Sequence, residues 1–298
     1  MKQFLSRKKK WFGYILYCII VTVGLLYYRF PSDDLRDYIQ IRANNLNTPF
    51  FLSIDRIRPW PPFGLKLGQT EIALKDKPNI KLFRADSLLV KPEAWSFLKG
   101  KGKYCFECLA YGGDVWGYVY FEKNSMKAPF NTEIELKSIR IGNYKGLRYL
   151  IGRDVDGIIN GTIYYSGQHK NLMDGTGEVN LKLLDGRVDL LLPILPLGSI
   201  EFNEVKIDMA LKKRKINLTR FELNGHQLKG TLSGTISLKE KFAKSTLDLK
   251  GTIELFASFF KNTEGAFSTL RFFKQMMRKG ALTFIVHGTL GEPKIKFT

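Results

Sequence analysis

The stretch "HQLKGTLSGTISLKE", from His226 to Glu240, contains the Gly-Thr pair twice within six residues. Successive side chains of a β-strand point to opposite faces. One face of this stretch then carries only Leu, Ile and Gly between Leu228 and Leu238, whereas the other carries Gln, Lys, Thr and Ser. Both glycines therefore lie on the apolar face, and each following threonine lies on the polar face. The same pair recurs in "NGTIYY", "DGTGEVN", "KGTIEL" and "HGTLGEP".

Two further stretches near the C-terminus repeat this arrangement. "STLDLKGTIEL" (residues 245–255) and "ALTFIVHGTL" (residues 281–290) alternate apolar and polar residues and again place glycine on the apolar face. Each stretch is nine or more residues long, which exceeds the usual strand length of about five or six. We therefore predict a mainly β fold, built on a long, curved antiparallel sheet with an apolar face that glycines interrupt.

A glycine on the apolar face of a strand permits a bend or bulge and leaves a hollow beside the backbone. Two alternatives follow. The hollow is filled by Phe or Leu from a facing layer or helix, or it belongs to an apolar groove for acyl chains or an apolar partner segment. The residues of this candidate groove are Leu228, Gly230, Leu232, Gly234, Ile236, Leu249, Gly251, Ile253, Phe284, Val286 and Gly288.

The N-terminus indicates a membrane location. Residues 1–10 carry five Lys or Arg, and residues 11–28 form a tract without charge that has aromatic residues at both ends. Such a tract reaches the lower limit for a membrane-spanning helix, and the basic side stays cytoplasmic. We predict a cytoplasmic tail (1–10), a single transmembrane helix (11–28), a stalk helix (29–49) and a β-rich periplasmic domain (50–298), anchored in a bacterial inner membrane.

Composition and motifs argue against catalysis. The chain has 298 residues, 44% of them hydrophobic, and a formal net charge of +19, which suits partners with negative surfaces. Motifs typical of serine hydrolases, zinc proteases and phosphate-binding loops are missing from the sequence, and its three histidines are isolated from one another. We expect no enzyme activity and no cofactor or metal. Nucleic acid is not an expected partner behind a membrane anchor.

The cysteines and a C-terminal segment add two more predictions. Cys105 and Cys108 form a C-x-x-C pair in the exported part, so they are either a candidate disulfide or free thiols. "FASFFKNTEGAFSTLRFFKQMMRKG" (residues 256–280) has apolar residues at helical spacing and a basic last turn before Gly280. It predicts an amphipathic helix that lies on a membrane surface or covers the apolar face of the sheet.

Several motifs together resemble a family of envelope proteins. They are "RPWPPFGLKLGQTEI" after the first helices, "VKPEAWSFLKGKGKYCFECLAYGGDVWGYV", the block "LPILPLGSIEF" followed by "LNGHQLKGTLSGTISL", and the ending "FIVHGTLGEPKIKF". The chain resembles protein N of the type II secretion system (the GspN family) and, more distantly, AsmA-like proteins of the bacterial envelope. The resemblance implies an inner-membrane protein with a β-rich periplasmic body and no catalytic residues.

Two functions are therefore predicted. The first is a non-enzymatic accessory subunit of type II protein secretion that contacts other subunits of the machine. The alternative is an AsmA-like module whose apolar groove binds or transfers phospholipid. The chain is short compared with AsmA-type proteins that bridge two membranes.

Overall fold

The structure is a computed structural model, and it describes residues 2–45, 50–75, 77–123, 125, 128–144, 154–168, 171–189, 199–256, 259 and 281–298. The predicted amphipathic helix of residues 256–280 lies almost entirely outside the described residues. Three helices are present in the described part, together with short 3-10 turns at residues 141–143, 172–174 and 242–244. The helices are α1 (Lys2–Tyr28), α2 (Ser32–Asn44) and α3 (Ala94–Leu98).

Within the described residues, fourteen strands form one antiparallel sheet in which each strand pairs with the next along the chain. This order needs only hairpin connections, which suits a sequence with Gly-, Pro- and Asn-rich turns between its alternating stretches. The predicted mainly β fold and long antiparallel sheet are confirmed. The strands are β1 (Phe50–Trp60), β2 (Gly64–Leu74), β3 (Lys77–Pro92), β4 (Gly102–Ala110), β5 (Gly113–Phe121), β6 (Phe130–Arg140), β7 (Val155–Gly167), β8 (Thr176–Asp189), β9 (Ser199–Lys212), β10 (Lys215–Gly225), β11 (Leu228–Ser237), β12 (Thr246–Leu255), β13 (Ala281–Thr289) and β14 (Pro293–Phe297).

Helix α1 contains the tract for which a transmembrane anchor was predicted. Its side chains whose burial is defined are mostly exposed, including Trp11, Leu16 and Ile20. Among the residues that the structure describes, no helix combines the length and the apolar character needed to cross a membrane. The structure therefore gives the predicted anchor no support.

Helix α2 is shorter than the predicted stalk and does not extend away from the sheet. Asp33 and Asp34 in its first turn and Arg42 in its last turn complement the helix dipole. Leu35 and Ile39 pack against a buried cluster formed by Ile54, Ile57 and Leu67 on β1 and β2. The helix therefore lies on the first two strands with Leu35 and Ile39 partly buried, and the stalk bounds of residues 29–49 stay a prediction.

Side chains of α2 also bond the outer edge of β1. The Leu52 N–H donates to Asn44 Oδ1 at 2.7 Å, and Asn44 Nδ2 donates to the Leu52 carbonyl at 3.1 Å. The Ile54 N–H donates to Gln40 Oε1 at 3.1 Å. Arg36 reaches the Asp55 carbonyl at 3.4 Å. An edge strand normally leaves such groups open to another chain, so α2 covers this edge of the sheet between Leu52 and Asp55.

The buried core is divided into separate clusters along the sheet. One lies under α2, and a second contains Ala85, Cys108 and Ala110 on β3 and β4. Two more lie on β10 to β13, around Leu218 and Leu249 and around Leu228 and Leu282. None of the fully buried residues that form these four clusters lies on the middle strands β5 to β8. The apolar face of the middle strands is therefore only partly covered.

Candidate functional site

One line of apolar residues crosses the whole sheet. Paired residues of antiparallel strands share a face, so the register can be followed from β1 to β14 through successive partners. Every strand contributes one member, and each member is an apolar residue or glycine. We call this line the apolar row: Pro59, Leu65, Val90, Phe106, Gly117, Ile134, Ile163, Val179, Met209, Leu218, Gly234, Leu249, Val286 and Ile295.

Most of the apolar row is still accessible to solvent. Leu218 and Leu249 are buried, but the members on β5 to β9 are half-buried, and Ile295 is 45% exposed. A neighbouring line of cross-strand partners on the same face also consists of apolar residues and glycine. In it, Leu136 pairs with Gly161, Gly161 with Leu181, and Leu181 with Ile207. The apolar row and these neighbours form a continuous apolar surface, which we call the trough.

The predicted groove residues lie together at one end of the trough. They occupy three adjacent strands, and the register pairs Gly230 with Ile253, Leu232 with Gly251 and Leu249 with Val286. Their burial alternates as the sequence predicts, most regularly on β12. Sequence reasoning missed the contribution of β2 to β10, although the alternation in "NGTIYY" and "GEVNLKLL" carried the same signal.

The glycines of the candidate groove have different environments. A Cβ on Gly251 would lie 2.5 Å from Cζ of Phe284, so the ring of the neighbouring strand fills that hollow. Gly234 and Gly288 have positive φ values of 139° and 97°, and a Cβ on either would meet backbone atoms. A Cβ built on Gly230 would make only ordinary van der Waals contacts with its neighbours. The glycines therefore serve backbone geometry and aromatic packing more than they create open space.

The threonines of two Gly-Thr pairs meet on the opposite face. Thr231 and Thr252 are cross-strand partners, and their hydroxyl oxygens are 2.6 Å apart in a hydrogen bond. Such cross-strand pairs contribute to sheet stability while leaving the surface polar. The Gly-Thr pair thus serves both faces, with close backbone or ring packing on one and hydroxyl pairing on the other.

A polar line runs parallel to the apolar row on the other face. Tyr118, Glu133 and Tyr164 are successive cross-strand partners there. A hydrogen bond to the Glu133 carboxylate raises the pKa of Tyr164, and burial followed by the same carboxylate raises the pKa of Tyr118. The Lys103 ammonium lies 5.2 Å from the centre of the Tyr118 ring. Glu133 thus lies between two phenols on the polar face and raises the pKa of both.

A cavity of about 700 Å³ lies at the β1 end of the sheet. It is bounded by the last turns of α1, by the residues that lead into α2 and by the β1–β2 turn. Two members of the apolar row, Pro59 and Leu65, form part of its wall. The remaining lining residues are Thr22, Leu25, Tyr27, Arg29, Phe30, Pro31, Pro62, Phe63 and Gly64.

The two cysteines of the C-x-x-C pair are free thiols. Both lie on β4, where residues three apart point to opposite faces, so the candidate disulfide is not formed. Burial raises the pKa of the Cys108 thiol to about 11, and Asp86 acts in the same direction. Because the thiolate is the reactive form, Cys108 is an inert member of its cluster at neutral pH.

The described residues contain no group of three or more His, Cys, Asp or Glu side chains placed to hold a metal ion. Comparison of the chain with protein-family models, with curated proteins and with solved structures gave no match in any of the three. The trough and the cavity at its β1 end are therefore the features that bear most directly on function.

Proposed function

We propose that this protein is a non-enzymatic component of the bacterial cell envelope that binds phospholipid acyl chains along the trough. The apolar row supports this proposal most directly. Fourteen strands at about 4.8 Å spacing give a trough about 60 Å long, with no charged member in the apolar row. Each methylene group of an acyl chain that leaves water for such a surface contributes about 0.8 kcal/mol.

The two faces of the sheet differ in the way that lipid binding requires. Across the middle strands, one face presents half-buried Ile, Val, Leu and Met, and the other presents Tyr, Glu, Asn and Lys. An accessible apolar surface of this length marks an interaction site for a ligand, a membrane or another protein rather than a chance feature. The absence of charge on the trough also favours acyl chains over a peptide with mixed side chains.

The first prediction tests this function with one substitution on each face. Val179→Asp places a carboxylate in the middle of the trough, and Asn180→Asp places the same group at the next residue on the opposite face. We expect Val179→Asp to lower the amount of phospholipid that co-purifies with the full chain about tenfold. A tenfold loss of binding corresponds to about 1.4 kcal/mol, and an unpaired carboxylate against acyl chains costs more than that.

The measurement is lipid extraction and mass spectrometry of the purified proteins, normalised to protein. Circular dichroism and thermal unfolding show whether each variant keeps its sheet. Equal lipid content in the wild type and the folded Val179→Asp variant, or no phospholipid in any of them, contradicts the proposal.

An accessory role in type II secretion is a second candidate, and the outer edge of β14 favours it. Four of the five residues of β14 are exposed, whereas α2 closes the edge of β1. An open strand can pair with an extended segment of another subunit. Deleting the gene is then expected to reduce secretion of type II substrates, and normal secretion from the deletion strain argues for the lipid-binding role alone.

Location at the inner membrane, with most of the chain in the periplasm, is also proposed. It rests on the basic residues before position 11 and on the uncharged tract of residues 11–28. The full-length protein is expected to stay in the membrane pellet after alkaline extraction. Its release into the soluble fraction contradicts this location.

A further inference from the structure

The cavity at the β1 end of the sheet has a composition suited to one class of ligand. Its volume of about 700 Å³ falls within the range of about 300–1,000 Å³ typical of small-molecule sites. Its lining is made of Leu, Phe, Pro, Gly, Thr and Tyr residues together with a single charged residue, Arg29. An apolar wall with one cation fits an amphiphile that has an apolar chain and an anionic group.

The cavity and the apolar row share two residues. Pro59 and Leu65, which line it, are cross-strand partners and the first two members of the apolar row. The next member, Val90, pairs with Leu65. An apolar chain that enters the cavity beside these residues therefore meets the start of the trough without crossing a charged position.

Exposed aromatic side chains lie in the cavity wall, at Phe63, and next to lining residues in the sequence, at Tyr28 and Trp60. Phe63 is 71% exposed, Tyr28 is 87% exposed and Trp60 is 41% exposed. The Lys66 ammonium lies 5.5 Å from the centre of the Trp60 ring. Aromatic rings with a polar end and nearby cations are typical of surfaces at the boundary between water and lipid.

Arg29 differs from the next arginine along the chain. Arg36 is paired with Asp33 and Asp37, each at 3.0 Å. The guanidinium of Arg29 takes part in no ion pair among the described residues. A guanidinium presents a planar set of donors that matches the oxygens of a phosphate group, so Arg29 can accept an anionic headgroup without losing an internal partner.

We propose that this cavity binds a glycerophospholipid, with an acyl chain directed along Pro59 and Leu65 towards the trough and the phosphate against Arg29. This inference rests on the proposed lipid-binding function and adds a defined end site to it. It also assigns a role to Phe63, an exposed lining residue that contacts the chain of the bound lipid.

The site can be tested by photo-crosslinking with the full-length protein. p-Benzoylphenylalanine replaces Phe63 at the cavity, Val179 in the middle of the trough, or Trp95 as a control. Trp95 is a suitable control because it is 74% exposed, like Phe63, and lies on α3 outside the cavity. The probes are vesicles that contain fluorescent phosphatidylglycerol or fluorescent diacylglycerol.

We expect capture of phosphatidylglycerol at position 63 and none at position 95. Arg29→Gln is expected to lower this capture about two- to fivefold, the range of a partly exposed charge pair, and to leave capture of diacylglycerol unchanged. Arg42→Gln, at an exposed position of α2, is the matched control and is expected to have no effect.

The outcomes separate the two proposals. Capture at position 179 without capture at position 63 overturns the cavity site and leaves the trough in place. No capture at either position overturns both. An equal loss of capture in Arg29→Gln and Arg42→Gln, or complete competition by inorganic phosphate alone, shows a general attraction of anions and overturns the assignment of a phospholipid to this site.

Discussion

Gly230 and Gly234 lie on the same face of β11, four residues apart, yet their backbones impose different requirements. Gly234 has a φ of 139° and faces the Asp248 carbonyl and the Leu249 Cα of the next strand. At Gly230 an added Cβ would come no closer than 3.7 Å to any neighbour, and its backbone lies outside the left-handed region. Although both glycines belong to a Gly-Thr pair, glycine is thus required at position 234 and replaceable at position 230.

This difference gives a prediction for the free energy of unfolding. Gly234→Ala is expected to destabilise the protein by about 1–3 kcal/mol, because alanine in that backbone conformation is strained and its Cβ meets the neighbouring strand. Gly230→Ala is expected to be neutral or to stabilise by about 0.4–1 kcal/mol through the lower entropy of its unfolded chain. Urea titration followed by circular dichroism compares the two. Equal losses of stability would show that the shared motif, and not the backbone conformation, sets the requirement.

At this scale the sequence predicted the face of each residue correctly but not its backbone conformation. Alternation with a period of two fixes which side chains share a face, because the strand geometry allows no other arrangement. The positive φ of Gly234 and the ring of Phe284 over Gly251 depend on the register of neighbouring strands. A single sequence does not contain that register in any local pattern.

Among the elements, α2 has the most unexpected role. Leu35 and Ile39 pack against the sheet as the apolar face of a helix should. Its polar residues Gln40 and Asn44 have a second function, since they bond the backbone of β1 where another strand would. Nothing in the spacing of Gln and Asn distinguishes this use from an ordinary solvated helix face.

Removing this contact should weaken the edge of the sheet. Asn44→Ala leaves the Leu52 N–H and carbonyl without their partner and is expected to cost about 1 kcal/mol of stability. It should also speed hydrogen exchange of the Leu52 amide more than that of amides on the central strands. Arg42→Lys, two residues earlier and exposed, keeps the positive charge of the last turn and provides the control. Unchanged exchange at Leu52 in Asn44→Ala would mean that other groups protect this edge.

For the molecule as a whole, the sequence predicted the type of sheet but not its size. Three stretches near the C-terminus indicated long strands, and the structure extends the same design to fourteen. The earlier strands were harder to recognise because their apolar positions include Tyr, Gly and Met, which lower the contrast between faces. Aromatic contacts such as Phe130 with Tyr165, at 5.5 Å between ring centres, take the place of aliphatic pairs there.

The prediction for Cys105 and Cys108 was open between a disulfide and free thiols, and strand geometry decides it. A C-x-x-C spacing brings two sulfurs together on a helical turn or in a tight loop, but on an extended strand it separates them onto opposite faces. Tyr104 and Phe106 beside the two cysteines are residue types that favour a strand. The free-thiol alternative could therefore have been preferred from the sequence alone.

Closure of one edge by α2 has a consequence for how such a protein can change in length over evolution. Because each strand pairs with the next along the chain, a duplicated pair of strands can join an end of the sheet without altering the strands already present. At the β1 end the helix occupies backbone groups of Leu52 and Ile54, so the β14 end is the more suitable one for growth. Each added hairpin would lengthen the trough by about 10 Å, and relatives of different reach could share one fixed end and vary at the other.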